Sequence, residues 1–219
     1  MTDDEGAGRE RVPRGRSYHH GDLRSALIAA AGEMLERDGP EAISFRAVAR
    51  ATGVSQTAPY NHFQSKEDLL ATVAEAGFRD LEASQSATAE AARPGEDRVT
   101  ALGLDYVRFA LRRPQLYRLM FGVGVSDWYA HPEVLAAKGA SFRPIQTVLA
   151  EQLAAGGEAG PEAVETAAIA AWALVHGLAM LLIDRSLDPA KKAAGQAEAL
   201  VTRVVGLVAS GLKPGSAKP

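Results

Sequence analysis

FRAVARATGVSQTAPYNHF, residues 45–63, decides the fold. Phe45, Val48 and Ala49 recur at helical spacing and make the buried face of one short helix. Gly53 follows Ala49 by four residues; it lets a second helix pass close by and supplies a turn conformation that other residues resist. Val54 anchors that turn, and Ser55 is placed to cap the second helix. The spacing predicts two short helices crossing at a tight turn, the second running over 56–63 with its polar edge turned outward. A short helix presented this way fits the major groove of DNA.

Helical periodicity extends in both directions. Upstream, Leu23, Leu27, Ala30, Met34 and Leu35 predict a helix over 22–37, stopped by Asp38-Gly39-Pro40, and Ser44 is a good cap for the helix after it. Downstream, Ser65-Lys66-Glu67-Asp68 has the form of a capping box and predicts a helix to about Ala92. Further helices are expected over 96–112, 114–121, 132–155, 161–184 and 188–211. Pro114, Pro132, Pro161 and Pro189 stand where helices can begin. Pro144 falls inside one of these segments and should kink or split it. No strand-type alternation and no internal repeat appears. Residues 1–17 read as a mobile basic arm and 213–219 as a disordered tail.

Of the 219 residues, 47% are hydrophobic and 23% charged, enough to bury a real core. The net charge of -3 excludes a basic nucleic-acid binder as a whole, so DNA affinity must come from a local patch. Arg9, Arg11, Arg14, Arg16 and Arg24, against Glu10 and Asp22, form one. The absence of cysteine removes disulfides, thiolate metal sites and cysteine nucleophiles, and fits a cytoplasmic location. The acidic start Met1-Thr2-Asp3-Asp4-Glu5-Gly6 does not read as a secretory signal. Ala167 to Ile183 is almost wholly apolar but falls short of the roughly 20 residues of a membrane span, and it contains His176. A buried helix is the better reading.

Enzyme signatures are missing: no Gly-rich phosphate loop, no Gly-x-Ser-x-Gly and no His-Glu-x-x-His. His19-His20 and His62 lack the carboxylate or thiolate neighbours of a metal site, so no metal and no cofactor is expected. Glu33, Glu36 and Asp38 read as a solvated rim at a helix end. Glu162 and Glu165 open a helix, where negative charge is favourable.

Gly39, Ser44, Val48-Ala49, Gly53-Val54-Ser55, Tyr60, Phe63, Lys66 and Leu69-Leu70, following an amphipathic first helix, resemble the pattern of TetR-family transcriptional regulators over residues 22–73. Tyr18-His19-His20-Gly21-Asp22-Leu23-Arg24 and Ala58-Pro59-Tyr60 are similar to a subgroup whose C-terminal domain carries a Trp–His–Gly element, matched by Trp172, His176 and Gly177. Many members have a small residue, then Thr or Ser, then Leu before the tyrosine. Here those places hold Thr57, Ala58 and Pro59, which leaves Thr57 to supply the hydroxyl. The resemblance implies an all-α protein of about nine helices: an N-terminal three-helix helix-turn-helix DNA-binding domain over 18–66, and a C-terminal helical bundle over 67–212 for ligand binding and dimerisation.

Chemistry and resemblance together assign roles. Tyr60 and Lys66 are expected on phosphates, with Ser44 and Arg46 beside them. Gln56, Thr57 and Asn61 are candidate base readers, while Ser55 and His62 flank them on the DNA side. Arg14 and Arg16 are candidates for an adjacent minor groove. Tyr106, Phe109, Tyr117, Met120, Phe121, Trp128, Phe142, Trp172, His176 and Met180 are core residues or, as a set, the lining of an effector cavity. Ala167, Ala168, Ala171, Val175 and Leu178, with Val201, Val204, Val205 and Val208, offer small and apolar contacts for a dimer interface.

The expected protein is a homodimeric repressor that leaves a palindromic operator in duplex DNA when a small apolar or aromatic effector binds. It is not expected to be an enzyme or to engage a membrane. A DNA-binding activator or adaptor without a ligand is the second reading, and a helical enzyme the remote third.

Overall fold

The structure, a computed structural model, describes residues 20–92, 97–122, 130–157, 160–187 and 194–211. The arm with Arg14 and Arg16, Trp128, the tail, Pro189 and the side chain of Val208 lie outside the described residues. Among the described residues there are eight α-helices and two 3₁₀ turns. The α-helices are α1 His20–Asp38, α2 Phe45–Thr52, α3 Lys66–Ala91, α4 Arg98–Arg112, α5 Pro114–Phe121, α6 Pro132–Ala155, α7 Pro161–Ile183 and α8 Ala194–Gly211.

Local chemistry sets the N-terminal boundaries. The Ser44 hydroxyl caps α2 by accepting the Ala47 N–H at 3.2 Å. Gly53 ends that helix with φ of 71°, a left-handed conformation that costs other residues about 1–2 kcal/mol. The Ser65 hydroxyl caps α3 by accepting the Asp68 N–H at 3.1 Å. The Asp68 carboxylate in turn accepts the Gln64 N–H at 2.8 Å, one residue upstream of the position a capping box uses. Proline opens α5, α6 and α7, where its missing N–H has no partner to lose. α6 runs unsplit through Pro144, which is buried; packing on its neighbours holds the helix together across the missing bond.

α3 has 26 residues, about 39 Å at 1.5 Å per residue, and belongs to both halves of the molecule. Its first turns, through Leu69, Leu70 and Val73, join Leu27, Leu35, Val48 and Phe63 in one core. Its later turns, through Phe78 and Leu81, continue that core toward Tyr106, Leu116 and Leu182. α3 packs on α4, α5 and α6, and α4 packs on α6, α7 and α8. A second, smaller core joins Val99 and Leu102 of α4 to Val148, Leu149 and Leu153 of α6 and Ala168 of α7. Gly77 allows α3 and α5 to meet: a Cβ there would lie 2.8 Å from the Met120 sulfur and 3.1 Å from Leu116.

α7 is long and apolar enough by composition to cross a membrane. It packs on α4, α6 and α8, and buries Ala168, Val175, Ala179 and Leu182.

Candidate nucleic-acid interface and helical cavity

Ser55, Gln56 and Thr57 form the exposed turn after α2, and a 3₁₀ turn over Ala58–Asn61 takes the place of the helix expected over 56–63. Pro59 explains the difference. It has no N–H to send back to Ser55, so the segment closes with three-residue bonds, Ala58 N–H to Ser55 O at 3.0 Å and Tyr60 N–H to Thr57 O at 3.2 Å. The Ser55 hydroxyl lies 3.2 Å from the Thr57 hydroxyl, so Ser55 serves the turn through its carbonyl rather than as the side-chain cap expected.

Buried Pro59 and Phe63 seat this turn on the core, and Gln56, Thr57, Tyr60 and Asn61 face solvent. Tyr60 is 67% exposed, yet its ring stands edge-on to Phe45 with centroids 4.8 Å apart. That contact fixes the ring and leaves the hydroxyl outward. His62 is half-buried beside Phe63, Ser44 and Arg46 are exposed at the start of α2, and Lys66 is half-buried at the start of α3. Two further cations stand on this side, Arg24, expected only as part of the basic N-terminal patch, and Arg50, which the sequence reading did not single out. Arg24 of α1 lies over the Phe63 ring at 5.4 Å, and Arg50 is exposed on α2. Among the described residues Arg24, Arg46, Arg50 and Lys66 take part in no ion pair; in the bundle Arg98, Arg108, Arg113, Arg118 and Arg143 are paired, and Arg112, Lys138, Arg185 and Arg203 are not.

The bundle holds a half-open cavity of about 460 Å³ between α3, α4, α6 and α7, the size range of small-molecule sites. Tyr106, Phe121, Phe142 and Trp172 line it. Phe109, Tyr117 and Met120 do not; they are 4%, 0% and 1% exposed and belong to the core. Met180 packs against the same core. His176 stands one layer behind the wall. Its Nδ1 is 2.6 Å from the Tyr117 hydroxyl and 3.3 Å from that of Tyr106, and its ring lies 5.2 Å from Trp172. Trp172 Nε1–H donates to the Tyr106 oxygen at 3.1 Å, and the Tyr117 hydroxyl donates to it at 3.0 Å.

Burial pushes Tyr106 up to about 12 and raises Tyr117 as well, so both phenols stay protonated. Burial, and then the charge of Lys138, hold His176 below the ordinary imidazole value. Lys138, Gln85 and Ser141 also line the cavity, and nothing in the hydrophobic periodicity could have marked them.

The valines and alanines expected at a dimer interface are placed otherwise. Ala167, Ala168, Ala171, Val175, Leu178, Val201 and Val205 are buried inside the single subunit, and Ala171, Val175 and Val205 border the cavity; Val204 is half-buried. The open face of α7 instead carries Ala173, Gly177 and Leu181, with Ile169 where that face meets the cavity, and that of α8 carries Leu207, 76% exposed. α7 is apolar on nearly every side beyond its first turn, so composition cannot say which of its faces turns inward.

One contact ties the two halves together. Glu36, near the end of α1, accepts the N–H groups of Gln115 at 3.2 Å and Leu116 at 2.8 Å. A side chain read as part of a solvated rim is therefore the cap of α5, whose Tyr117 and Phe121 reach the histidine cluster and the cavity. Asp38 pairs with Arg37 at 2.6 Å on the surface, as a rim residue would.

Residues 27–73 match the family model of bacterial regulatory proteins of the tetR family, and residues 99–208 match that of the tetracyclin repressor-like C-terminal domain. A solved structure of a protein with unknown function from Rhodococcus sp. RHA1 is 33% identical, with a TM-score of 0.73 over 90% of this chain and 97% of that one. A transcriptional regulator of the TetR/AcrR family from Thermobifida fusca YX-ER1 is 24% identical over 90% of this chain and 100% of that one, with a TM-score of 0.62. A transcriptional regulator from Rhodococcus sp. Rha1 is 25% identical over 86% and 96%, with a TM-score of 0.63. No curated protein matches the sequence.

Proposed function

The chain belongs to the TetR family of DNA-binding transcriptional regulators, and on that premise we propose that it is a homodimeric repressor released from a palindromic operator by a small molecule held in the bundle. The observation that carries the DNA-binding half is the surface around the 3₁₀ turn. Polar Gln56, Thr57 and Asn61 stand at its tip, ringed by Arg24, Arg46, Arg50 and Lys66 with no carboxylate partners among the described residues. Amides suit the adenine edge in the major groove, and the cations and Tyr60 suit phosphates. Two-fold symmetry sets two such turns about one helical repeat apart, 34–36 Å along the duplex. The exposed apolar stripe Ala173, Gly177 and Leu181, with Leu207 of α8, meets its copy across the two-fold axis.

The cavity favours ligand-controlled release over a ligand-free adaptor. A molecule pressing on Tyr106 and Trp172 acts on Tyr117 through the shared hydrogen bonds, hence on α5, and through Glu36 on α1 of the DNA-binding half. Effector and DNA affinities are then linked reciprocally.

Selection of bound sites from random duplexes by the purified chain is the test. The expected product is a two-fold symmetric consensus occupied by dimers. A consensus without symmetry, or none at all, overturns the proposal. Symmetric sites from which no small molecule ever releases the protein point to the adaptor.

A further inference from the structure

The effector reading leaves the chemical class of the ligand open, and the donors around the cavity narrow it. Its wall is largely apolar, with Leu81, Val99, Leu102 and Ile145 among the lining side chains. The polar lining side chains can be accounted for one by one. The Gln85 amide nitrogen donates to Leu102 O at 3.1 Å and to the Asp105 carboxylate at 2.8 Å, which uses both its protons. The Ser141 hydroxyl donates to Lys138 O at 2.8 Å. Trp172 Nε1–H is spent on Tyr106.

Two donors are left. The Tyr106 oxygen accepts from both Trp172 and Tyr117, so its lone pairs are engaged and its own proton is the one to give. The tautomer of His176 that carries its proton on Nδ1 completes that arrangement by donating to the Tyr117 oxygen at 2.6 Å, and it is the one we assign. The other donor is the Lys138 ammonium, 6.0 Å from the centre of the Phe121 ring and in no ion pair among the described residues. Phe121 also touches His176 and Trp172, at 4.9 and 6.2 Å, and both donors line the cavity with it.

An exposed cation and a buried phenol on the wall of the same oily cavity match one head group. We propose that the cavity binds an apolar monocarboxylic acid, its carboxylate paired with Lys138 and accepting the Tyr106 hydroxyl, and its hydrocarbon body against α3, α4, α6 and α7. This rests on the effector reading only for its consequence on DNA; the site itself can be tested apart.

Octanoate and octanol are the probes, titrated calorimetrically into the full chain and then into its complex with a selected duplex. Octanoate should bind about tenfold or more tighter than octanol, the scale of a hydrogen bond to a charged group. Lys138→Met should abolish that preference while leaving octanol affinity intact, which also shows the variant is folded. Tyr106→Phe should weaken octanoate and spare octanol. Equal affinity for acid and alcohol, survival of the preference in Lys138→Met, or binding of neither probe would overturn the proposal. If octanol releases DNA and octanoate does not, the effector reading stands and the acid site falls. If octanoate binds through Lys138 and the DNA stays bound, the acid site stands and the effector reading falls.

Discussion

Replacing Glu36 by alanine removes the cap of α5 and one hydrogen-bonded link between the two halves of the subunit, which the core along α3 also joins. The carboxylate accepts two N–H groups of the first turn of α5, one of them at 2.8 Å, and sits where the helix dipole favours negative charge. Loss of a capping side chain costs about 0.5–2 kcal/mol, and a hydrogen bond to a charged group contributes about 1.5–3 kcal/mol. Glu36 is half-buried, so water recovers part of this, and about 2 kcal/mol is the expected loss. For a chain of this length that lowers Tm by about 4–8 °C. Glu36→Gln keeps an acceptor without the charge and should fall between. Thermal melting of the three proteins reads the stability term. Titration of a selected duplex, with and without a releasing ligand, reads the link. DNA affinity without ligand should stay close to the parent's, because Ser44, Gly53 and the Phe45–Tyr60 contact are untouched. Release by ligand should be blunted, because movement of α5 no longer reaches α1 through this bond. An alanine variant that melts with the parent and releases normally would rule this coupling out.

Lys66→Ala should weaken binding to every duplex alike and reduce the salt slope by about one phosphate contact, read by titration at several salt concentrations. Gln56→Ala should relax selection at particular base positions at a cost of about 1–3 kcal/mol; an equal loss on all operator variants would contradict a base-reading role. Gly53→Ala forces a side chain into left-handed backbone and should destabilise the N-terminal half by about 1–2 kcal/mol, with a matching fall in DNA affinity. Burial and Lys138 hold folded His176 below its ordinary value of about 6.5, so the unfolded chain takes up this proton first as pH falls. Stability should therefore drop from about pH 6.5 downward and be insensitive to this group above it; melting curves for His176→Gln should show a flatter drop.

Local rules made most of the fold legible. Ser44, Gly53 and Ser65 each act through neighbours within four residues, so the boundaries of α2 and α3 could be read directly. Pro59 was legible as a departure from the family pattern but not as a 3₁₀ turn, since its effect depends on which bonds the flanking residues then choose. Glu36 looked like a rim carboxylate because its partner, Leu116, is 80 residues away in sequence. The small residues of α7 expected at a dimer face are buried within the subunit for a different reason. A helix apolar all round has no phase to read, and only packing on α4 and α8 turns Val175 inward and Leu181 outward. Tyr106 and Trp172 at the cavity could be named from aromatic content, but Lys138 and Gln85 could not. Polar residues that line cavities and those that face solvent have the same spacing.

Repression in the proposed form needs two reading turns held a groove repeat apart by one dimer. The chain has no cysteine, so a single Ala51→Cys on the exposed side of α2 can carry a spin label without background. On a selected duplex, pulsed electron resonance should give one distance centred near 35 Å, about one helical repeat, and a releasing ligand should shift or broaden it. A chain that shows no dipolar coupling on DNA, because one copy binds alone, would contradict the paired arrangement.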